Sequence, residues 1–270
     1  MSDSLGDRIK DYERRETGRS FLPMLPVYAR IDGRSFSRLT DGMERPFDAN
    51  FSEAMTRTAA ALVEHSQARI AYTQSDEINL LWLAEEPKSE IFFRGKIQKM
   101  VSVLAAFATA AFTRALLDGP LAPFASRLPH FDARLFQLPS RSEAANAILW
   151  RELDATKNAV SMAARHYYPH DEVDGRTTGE LQELLFRKGI NFNDYPAGFK
   201  RGTFVRRAAA LRELSEEELS GISPEHRPEL GAAVRRYSVV RLPMPRFASV
   251  INREAVIFDG AAPEVAGDTG

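Results

Sequence analysis

Alternating stretches of apolar and polar positions in the first half of the chain predict two strand-and-helix units. Short runs rich in β-branched and aromatic residues predict strands, and longer stretches with apolar residues at every third or fourth position predict helices. Strands are predicted over residues 27–31, 69–74, 78–83 and 131–138, and helices over 51–64 and 91–117. This order, β-α-β-β-α-β, is the split βαβ or ferredoxin-like arrangement, in which the first and third strands are central neighbours. We therefore expect an α+β protein.

The rest of the pattern is mainly helical and then mixed. Helices are predicted over residues 7–17, 142–168, 177–186 and 214–219, and strands over 199–205, 239–242 and 255–258. The chain end, residues 260–270, is predicted to be a disordered tail. We divide the chain into a core at 1–140, a helical region at 141–207 whose late strand completes the core, and a small C-terminal extension at 208–270.

Two of the predicted strands each deliver a carboxylate to a turn. Asp32 precedes Gly33 at the end of the first strand, and Asp76 lies in the turn of the predicted hairpin. If the first and third strands are neighbours, these aspartates can share a divalent cation. Two carboxylates and the Gly33 carbonyl match the oxygen ligands that Mg²⁺ prefers when a nucleoside triphosphate supplies the rest. This is the arrangement of a palm-type nucleotidyltransferase.

Ordinary turn chemistry is the alternative explanation of these motifs. Asp-Gly pairs and Ser-Asp-Glu triplets are common in turns, so either motif alone favours a structural role. The two together, each ending a hydrophobic strand, favour the metal site. In that case Gly33 allows a sharp turn close to a phosphate, and the amides from Arg34 to Ser37 are predicted to cradle phosphate oxygens.

Composition narrows the classes of function. Of the 270 residues, 44% are hydrophobic and 27% charged, which suits a folded protein with a substantial core. No cysteine is present, so disulfides, thiolate zinc sites and a cysteine nucleophile are excluded. We expect no signal peptide and no membrane span, because no apolar run reaches about 18 residues.

The distribution of charge is less even than the net charge of −1 suggests. Between residues 187 and 212 the chain carries seven basic residues and a single aspartate, Asp194. Such a run is usually a solvated surface, and the sharper interpretation is a face that contacts phosphates.

Several motifs resemble those of the tRNA-His guanylyltransferase family. Residues 30–36, RIDGRSF, resemble its R-(I/L)-D-G-R-x-F signature, and residues 72–77, YTQSDE, resemble its Y-x-Q-S-D-E signature. Weaker matches occur before, between and after these signatures, in the order expected for the family. They lie at residues 11–13 with Thr17, 45–46, 131–134, 150–154 and 200–203. The resemblance spans roughly residues 7–207, and the two long signatures at this separation are specific.

The resemblance implies a polymerase-palm fold and an activity. Members of the family add nucleotides in the 3′-to-5′ direction to the 5′ end of tRNA. A 5′-monophosphate end is first activated with a nucleoside triphosphate, ATP or GTP, and the 3′-hydroxyl of GTP or another NTP then attacks the activated end. Family members are typically tetramers, so the resemblance also implies a homotetramer. We expect a cytoplasmic protein, since the absence of cysteine is compatible with a reducing compartment, and no membrane partner.

The resemblance assigns roles to individual residues. Two Mg²⁺ ions are implied at Asp32, the Gly33 carbonyl and Asp76, with Asp32 and Asp76 catalytic. The implied nucleotide-binding residues are Asp32, Gly33, Arg34, Ser35, Phe36, Ser37, Arg45, Ser75, Asp76, Lys99 and Asn158. From the basic run, the predicted tRNA-binding residues are Arg187, Lys188, Lys200, Arg201, Arg206 and Arg207.

One stretch departs from the family pattern. The eukaryotic enzymes that add G−1 to tRNA-His carry H-I-N-N-x-Y after the W-R-x-x-D helix, whereas residues 156–161 here read TKNAVS. This chain therefore resembles the guanylyltransferase-like branch, whose members repair truncated tRNA 5′ ends. Two alternatives stay open: a cyclase-like palm enzyme that acts on free nucleotides, and an inactive RNA-binding relative.

Overall fold

A six-stranded antiparallel sheet forms the centre of the protein. The computed structural model describes residues 4–229 and 233–267. Its strands are β1 Val27–Gly33, β2 Ile70–Gln74, β3 Glu77–Trp82, β4 Phe131–Gln137, β5 Thr203–Glu213 and β6 Ala233–Leu242. The strand order is β4-β1-β3-β2-β5-β6, and every neighbouring pair is antiparallel.

Helices connect the strands and cover the sheet. They are α1 Leu5–Thr17, α2 Phe36–Leu39, α3 Ala49–Ser66, α4 Ile97–Leu117, α5 Arg141–Tyr167, α6 His170–Val173, α7 Thr178–Arg187, α8 Ala197–Arg201 and α9 Glu216–Ser220. Asp48 caps α3 by accepting hydrogen bonds from the amides of Asn50 and Phe51, and Thr177 forms a capping box with Glu180 at α7. Both caps satisfy amides that the first helical turn leaves without a partner.

The first four strands and the helices α3 and α4 form the predicted βαββαβ core. Strands β1 and β3 are central and adjacent, with β4 and β2 outside them. The α+β fold with a palm-like core is therefore confirmed. Strands β5 and β6 extend the sheet beyond β2, and β5 crosses the predicted boundary at residue 207. The division into three regions stays a prediction.

The central strands β1, β2 and β3 are largely buried on both faces, because their side chains alternate between two sides that both carry packed helices. Val27, Ala29 and Ile31 of β1 pack towards α3 and α4, while Tyr28 packs towards α5. A third cluster joins the second half of α5 to α7 and α8. The cluster around Tyr28 packs the first half of α5 against the sheet.

Two predictions for the C-terminal segment need correction. The run predicted as a strand at 255–258 is a helical turn, Ala255–Asp259, whose apolar side chains pack beside α5. The described part of the tail, 260–267, is held in place rather than disordered. Val250 forms a β-bridge with Val265, and the Ile251 amide donates to the Glu264 carbonyl at 2.9 Å. Residues 268–270 lie outside the described residues.

Helix α4 is long and apolar enough to cross a membrane when judged by length and composition alone. Its buried residues, among them Met100, Leu104, Ala108 and Phe112, pack in the core against the sheet and α3. A core helix of a folded domain meets the same criteria, so this property assigns no membrane role.

Candidate active site

The two acidic turns lie side by side at one end of the sheet. In the β1–β3 pair, Asp32 is opposite Glu77. The Gly33 amide donates a hydrogen bond to the Asp76 carbonyl at 3.0 Å, which joins the end of β1 to the β2–β3 turn. Asp32 and Asp76 both line one cavity of about 760 Å³, which we call the larger cavity because it is the larger of the two that adjoin these turns. The strand order thus brings the two carboxylates together.

Both aspartates lie in an environment that opposes their negative charge. Burial raises the pKa of Asp76 to about 6, and the charge of Asp32 contributes, against hydrogen bonds from the Asp76 amide and from Ser75. Burial also raises the pKa of Asp32, together with Glu77 and Asp132, against Arg30 and Arg134. A bound cation would relieve this repulsion.

The donor set suits Mg²⁺. It consists of hard oxygens, two from carboxylates and one from the Gly33 carbonyl. No group of three or more His, Cys, Asp or Glu side chains able to hold a metal occurs among residues 4–229 and 233–267. Water and substrate phosphates would therefore supply the remaining ligands, as is usual for Mg²⁺ sites that act on nucleotides.

Glycine at position 33 is required by the packing beneath the site. A Cβ atom there would lie 2.5 Å from the Phe36 ring, which is only 3% exposed and packs against Phe112 and Phe131. Close packing, rather than the sharp turn we predicted, is thus the reason for the glycine. The two site turns contain left-handed serines instead, Ser35 at φ 58° and Ser75 at φ 52°, a conformation uncommon for residues other than glycine.

A polar network centred on Glu77, next to Asp76, connects the site to α5 and to the neighbouring strands. Arg151 of α5 donates to both carboxylate oxygens of Glu77, at 2.6 and 2.8 Å, and to Asp154 at 3.0 Å. Asn79 also donates to Glu77, at 2.8 Å, and accepts from the Tyr28 hydroxyl at 2.6 Å. The bidentate contact between Arg151 and Glu77 fixes α5 against β3. Sequence reasoning assigned no role to Glu77 or Arg151, although both lie inside the quoted motifs.

A second, smaller cavity of about 340 Å³ adjoins the first. Its apolar lining comprises Phe36, Met43, Phe47, Phe51, Met55, Met162 and Phe199. The two cavities share Arg45, Pro46, Gln74, Ser75, Asp76 and Met162, so the β2–β3 turn lies between them. Sequence reasoning missed the smaller cavity because its residues have the pattern of ordinary core positions.

Most of the predicted nucleotide-binding residues lie at these cavities. The residues that line one or both are Asp32, Phe36, Ser37, Arg45, Ser75, Asp76 and Asn158. Gly33 ends β1, and Arg34 and Ser35 lie in the turn between β1 and α2. The Arg34 amide donates to the His130 carbonyl at 3.0 Å, so it is not available to a phosphate as predicted.

Lys99 is not brought to the site within this chain. Its ammonium lies 4.5 Å from the Phe93 ring centroid, near the start of α4. The part of α4 near the site is identified by Thr109, whose hydroxyl accepts from the amide of Phe131, the partner of Gly33 in the sheet. Lys99 precedes Thr109 by ten residues, a distance of about 15 Å along the helix.

The six predicted tRNA-binding residues do not share one face. Arg206 and Arg207 are consecutive on β5 and so point to opposite sides of the sheet. The Arg206 guanidinium donates to the Ala261 carbonyl at 2.7 Å, and burial lowers its pKa. We therefore remove Arg206 from the RNA-facing set.

The other five basic residues are placed as follows. Arg207 lies 4.7 Å from the Tyr237 ring centroid, and Lys188 donates to the Tyr167 carbonyl at 2.8 Å. Lys200 donates to the Asn193 carbonyl, Arg201 ends α8, and Arg187 is exposed at the end of α7.

Comparisons with known proteins agree with this geometry. A family profile described as tRNAHis guanylyltransferase matches residues 6–139. A bacterial tRNA(His) guanylyltransferase-like protein solved in complex with ATP is 36% identical, with a TM-score of 0.71 over 75% of this chain and 88% of that chain. One solved in complex with GTP is 30% identical, with a TM-score of 0.68 over 91% of this chain and 94% of that chain. The tRNA(His) guanylyltransferase of Neurospora crassa is 29% identical over 85% of this chain and 83% of its own length.

The palm-like core and the paired aspartates at one end of its sheet define an enzyme of the nucleotidyltransferase class. The likeness to the GTP-bound bacterial structure leaves less than a tenth of the chain unmatched, so it extends into the segment after residue 208. This chain belongs to the tRNA(His) guanylyltransferase family.

Proposed function

We propose that this enzyme adds GTP or other NTPs in the 3′-to-5′ direction to the 5′ end of tRNA, in a magnesium-dependent reaction. The observation that carries the proposal is the pair Asp32 and Asp76. They lie at one cavity, in an environment that raises the pKa of both carboxyls. Relatives solved with ATP and with GTP support nucleoside triphosphates as substrates.

Different residues would bind the metal ions, the phosphates and the nucleoside in this reaction. Asp32, the Gly33 carbonyl and Asp76 would hold two Mg²⁺ ions, which when bound neutralise the triphosphate and lower the pKa of the attacking 3′-hydroxyl. Arg45, whose guanidinium donates to the Thr40 carbonyl at 3.2 Å, borders both cavities and can reach a phosphate placed between them. The apolar lining of the smaller cavity suits the nucleoside.

We further propose that the enzyme repairs truncated tRNA 5′ ends rather than selecting tRNA-His. The stretch at residues 156–161 supports this because it retains only Asn158 from the expected motif. The test is nucleotide addition to three RNAs: full-length tRNA-His, 5′-truncated tRNA-His and a truncated unrelated tRNA. Addition to both truncated RNAs is expected. Addition to full-length tRNA-His alone would contradict the repair assignment.

The catalytic assignment is tested with Asp76→Ala and a matched control. Asp171 is an exposed aspartate on α6, outside both cavities, so Asp171→Ala controls for the loss of a carboxylate. Asp76→Ala should abolish labelling of the RNA 5′ end, and Asp171→Ala should retain it. Equal labelling by Asp76→Ala and wild type would refute the assignment. Turnover of free NTP without RNA would instead indicate the cyclase-like alternative.

Assembly and location are also part of the proposal. We propose a homotetramer in the cytoplasm. Light scattering coupled to size-exclusion chromatography should give the mass of four chains, and cell fractionation should place the protein in the soluble cytoplasmic fraction. A monomeric mass or a membrane fraction would contradict these two statements.

A further inference from the structure

One face of α5 forms a wall of the larger cavity. Asn158, Ser161, Met162 and Arg165 follow one another at helical spacing and all line this cavity, as does His166. At a rise of 1.5 Å per residue, Arg165 lies about 10 Å beyond Asn158 along the helix. Arg151, which holds Glu77, lies on the same helix in the opposite direction. The wall therefore leads away from the catalytic aspartates.

Among the described residues, Arg165 is the cation of this wall whose charge is not paired with a carboxylate. The Arg151 guanidinium is occupied by Glu77 and Asp154, and Arg45 donates to Thr40. Arg165 is exposed and has no hydrogen-bond or carboxylate partner in the part of the chain that the structure describes. A guanidinium facing a cavity without a carboxylate partner suits a phosphate, because its planar fork matches two phosphate oxygens.

The two cavities differ in the chemistry of their walls. The smaller one is largely apolar, whereas the larger one offers the guanidinium of Arg165, the Asn158 amide, the Ser161 hydroxyl and the His166 ring. Asp76 belongs to both, so a group in either cavity can reach its carboxylate. This arrangement suits two different substrates that approach the catalytic turn from opposite sides.

We propose that the α5 wall, formed by Asn158, Ser161, Arg165 and His166, binds the phosphates at the RNA 5′ end, with Arg165 as the main contact. Asn158, which the resemblance assigns to the nucleotide, thereby moves to the RNA side, since it lines the larger cavity and not the smaller one. The nucleoside of the incoming NTP occupies the smaller cavity. This inference rests on the proposed function, which it deepens by assigning the RNA strand to one wall. Arg165 thereby makes the enzyme favour 5′-phosphorylated over 5′-hydroxyl ends.

A binding experiment tests the proposal without requiring catalysis. A 5′-truncated tRNA labelled at its 3′ end is prepared with a 5′-monophosphate or a 5′-hydroxyl and titrated with the full-length protein by fluorescence anisotropy at several salt concentrations. The wild type should bind the phosphorylated RNA about 10-fold more tightly. Arg165→Ala should remove this preference and reduce the salt dependence by about one phosphate contact.

Two further variants separate charge, geometry and fold. Arg165→Lys should keep only part of the preference, because lysine retains the charge without the fork. Lys157→Ala is the matched control, since Lys157 is an exposed cation on the same helix and does not line the cavity. It should leave the preference unchanged. Equal loss in Lys157→Ala and Arg165→Ala would overturn the proposal.

Steady-state kinetics distinguish failure of this inference from failure of the proposed function. Arg165→Ala should raise KM for the RNA about 10-fold and leave KM for the NTP unchanged. A raised KM for the NTP, or equal wild-type affinity for both RNA ends, would overturn the inference even if nucleotide addition occurs. If the protein adds no nucleotide but still binds phosphorylated RNA more tightly through Arg165, the proposed function is refuted and the assignment of the α5 wall stands.

Discussion

Replacing Asp76 with asparagine should stabilise the metal-free protein at pH 8. The folded protein raises the pKa of this carboxyl from 3.8 to about 6, chiefly because burial disfavours its charge. The difference of about two pKa units corresponds to about 3 kcal/mol at 1.36 kcal/mol per unit. Asparagine has a similar shape, carries no charge and still offers an oxygen to the Ser75 hydroxyl.

The sign of the pH dependence follows from the raised pKa. The protonated carboxyl is favoured by the folded state, so its contribution to stability is complete below about pH 4 and is lost as the pH rises through about 6. Metal-free wild type should therefore be less stable than Asp76→Asn by about 2–3 kcal/mol at pH 8, and the two should converge near pH 4. The difference between them isolates this carboxyl from the other titrating groups.

Urea unfolding in the presence of EDTA measures this difference at each pH. Asp132→Asn is the control, since Asp132 lies on β4 near Asp32 but its side chain is 51% exposed, and we expect a change below about 0.5 kcal/mol. Added Mg²⁺ should stabilise the wild type and not Asp76→Asn. A variant less stable than wild type at pH 8, or a difference that does not vary with pH, would refute the reasoning.

Three further predictions concern the support of the site. Gly33→Ala should lower the free energy of unfolding by about 1–3 kcal/mol, because its Cβ would meet the buried Phe36 ring. Urea unfolding measures this change. If the contact is the cause, adding Phe36→Leu should restore part of the lost stability. Arg151→Met should lower the free energy of unfolding by about 3–5 kcal/mol in the same assay, because it leaves Glu77 charged at 13% exposure. The double variant with Glu77→Gln should recover much of this stability. No recovery would argue against the ion pair. Arg206→Ala should lower the melting temperature through its lost bonds to the Ala261 and Val256 carbonyls but leave the salt dependence of tRNA binding unchanged, and a reduced salt dependence would return Arg206 to the RNA-facing set.

Local sequence patterns were sufficient for the core of the fold. Strand β1 and the β2–β3 hairpin follow from their apolar runs, and α3 follows from its helical stripe and its Asp48 cap. The prediction of a strand over residues 255–258 was wrong, because a short apolar run is buried equally well as a strand or as a helical turn. Its packing against α5 decides the outcome, and α5 is distant in sequence.

Candidate site residues divide in the same way. Asp32 and Asp76 could be placed together because strand order alone brings their turns to one end of the sheet. Lys99 could not be placed, because a helical pattern does not say which end of α4 lies near the site. The basic run could not reveal that the Arg206 guanidinium is held by carbonyls about 50 residues later.

The sequence by itself thus determined the βαββαβ order, the two acidic turns and the family signatures, because each depends on neighbours along the chain. Only the tertiary structure decided which side chains are available for chemistry. It placed Arg151 on Glu77, enclosed Arg206 under the C-terminal segment and left Arg165 facing the larger cavity. Burial and partnership depend on contacts between distant segments, and these contacts exist only once the sheet and α5 have packed together.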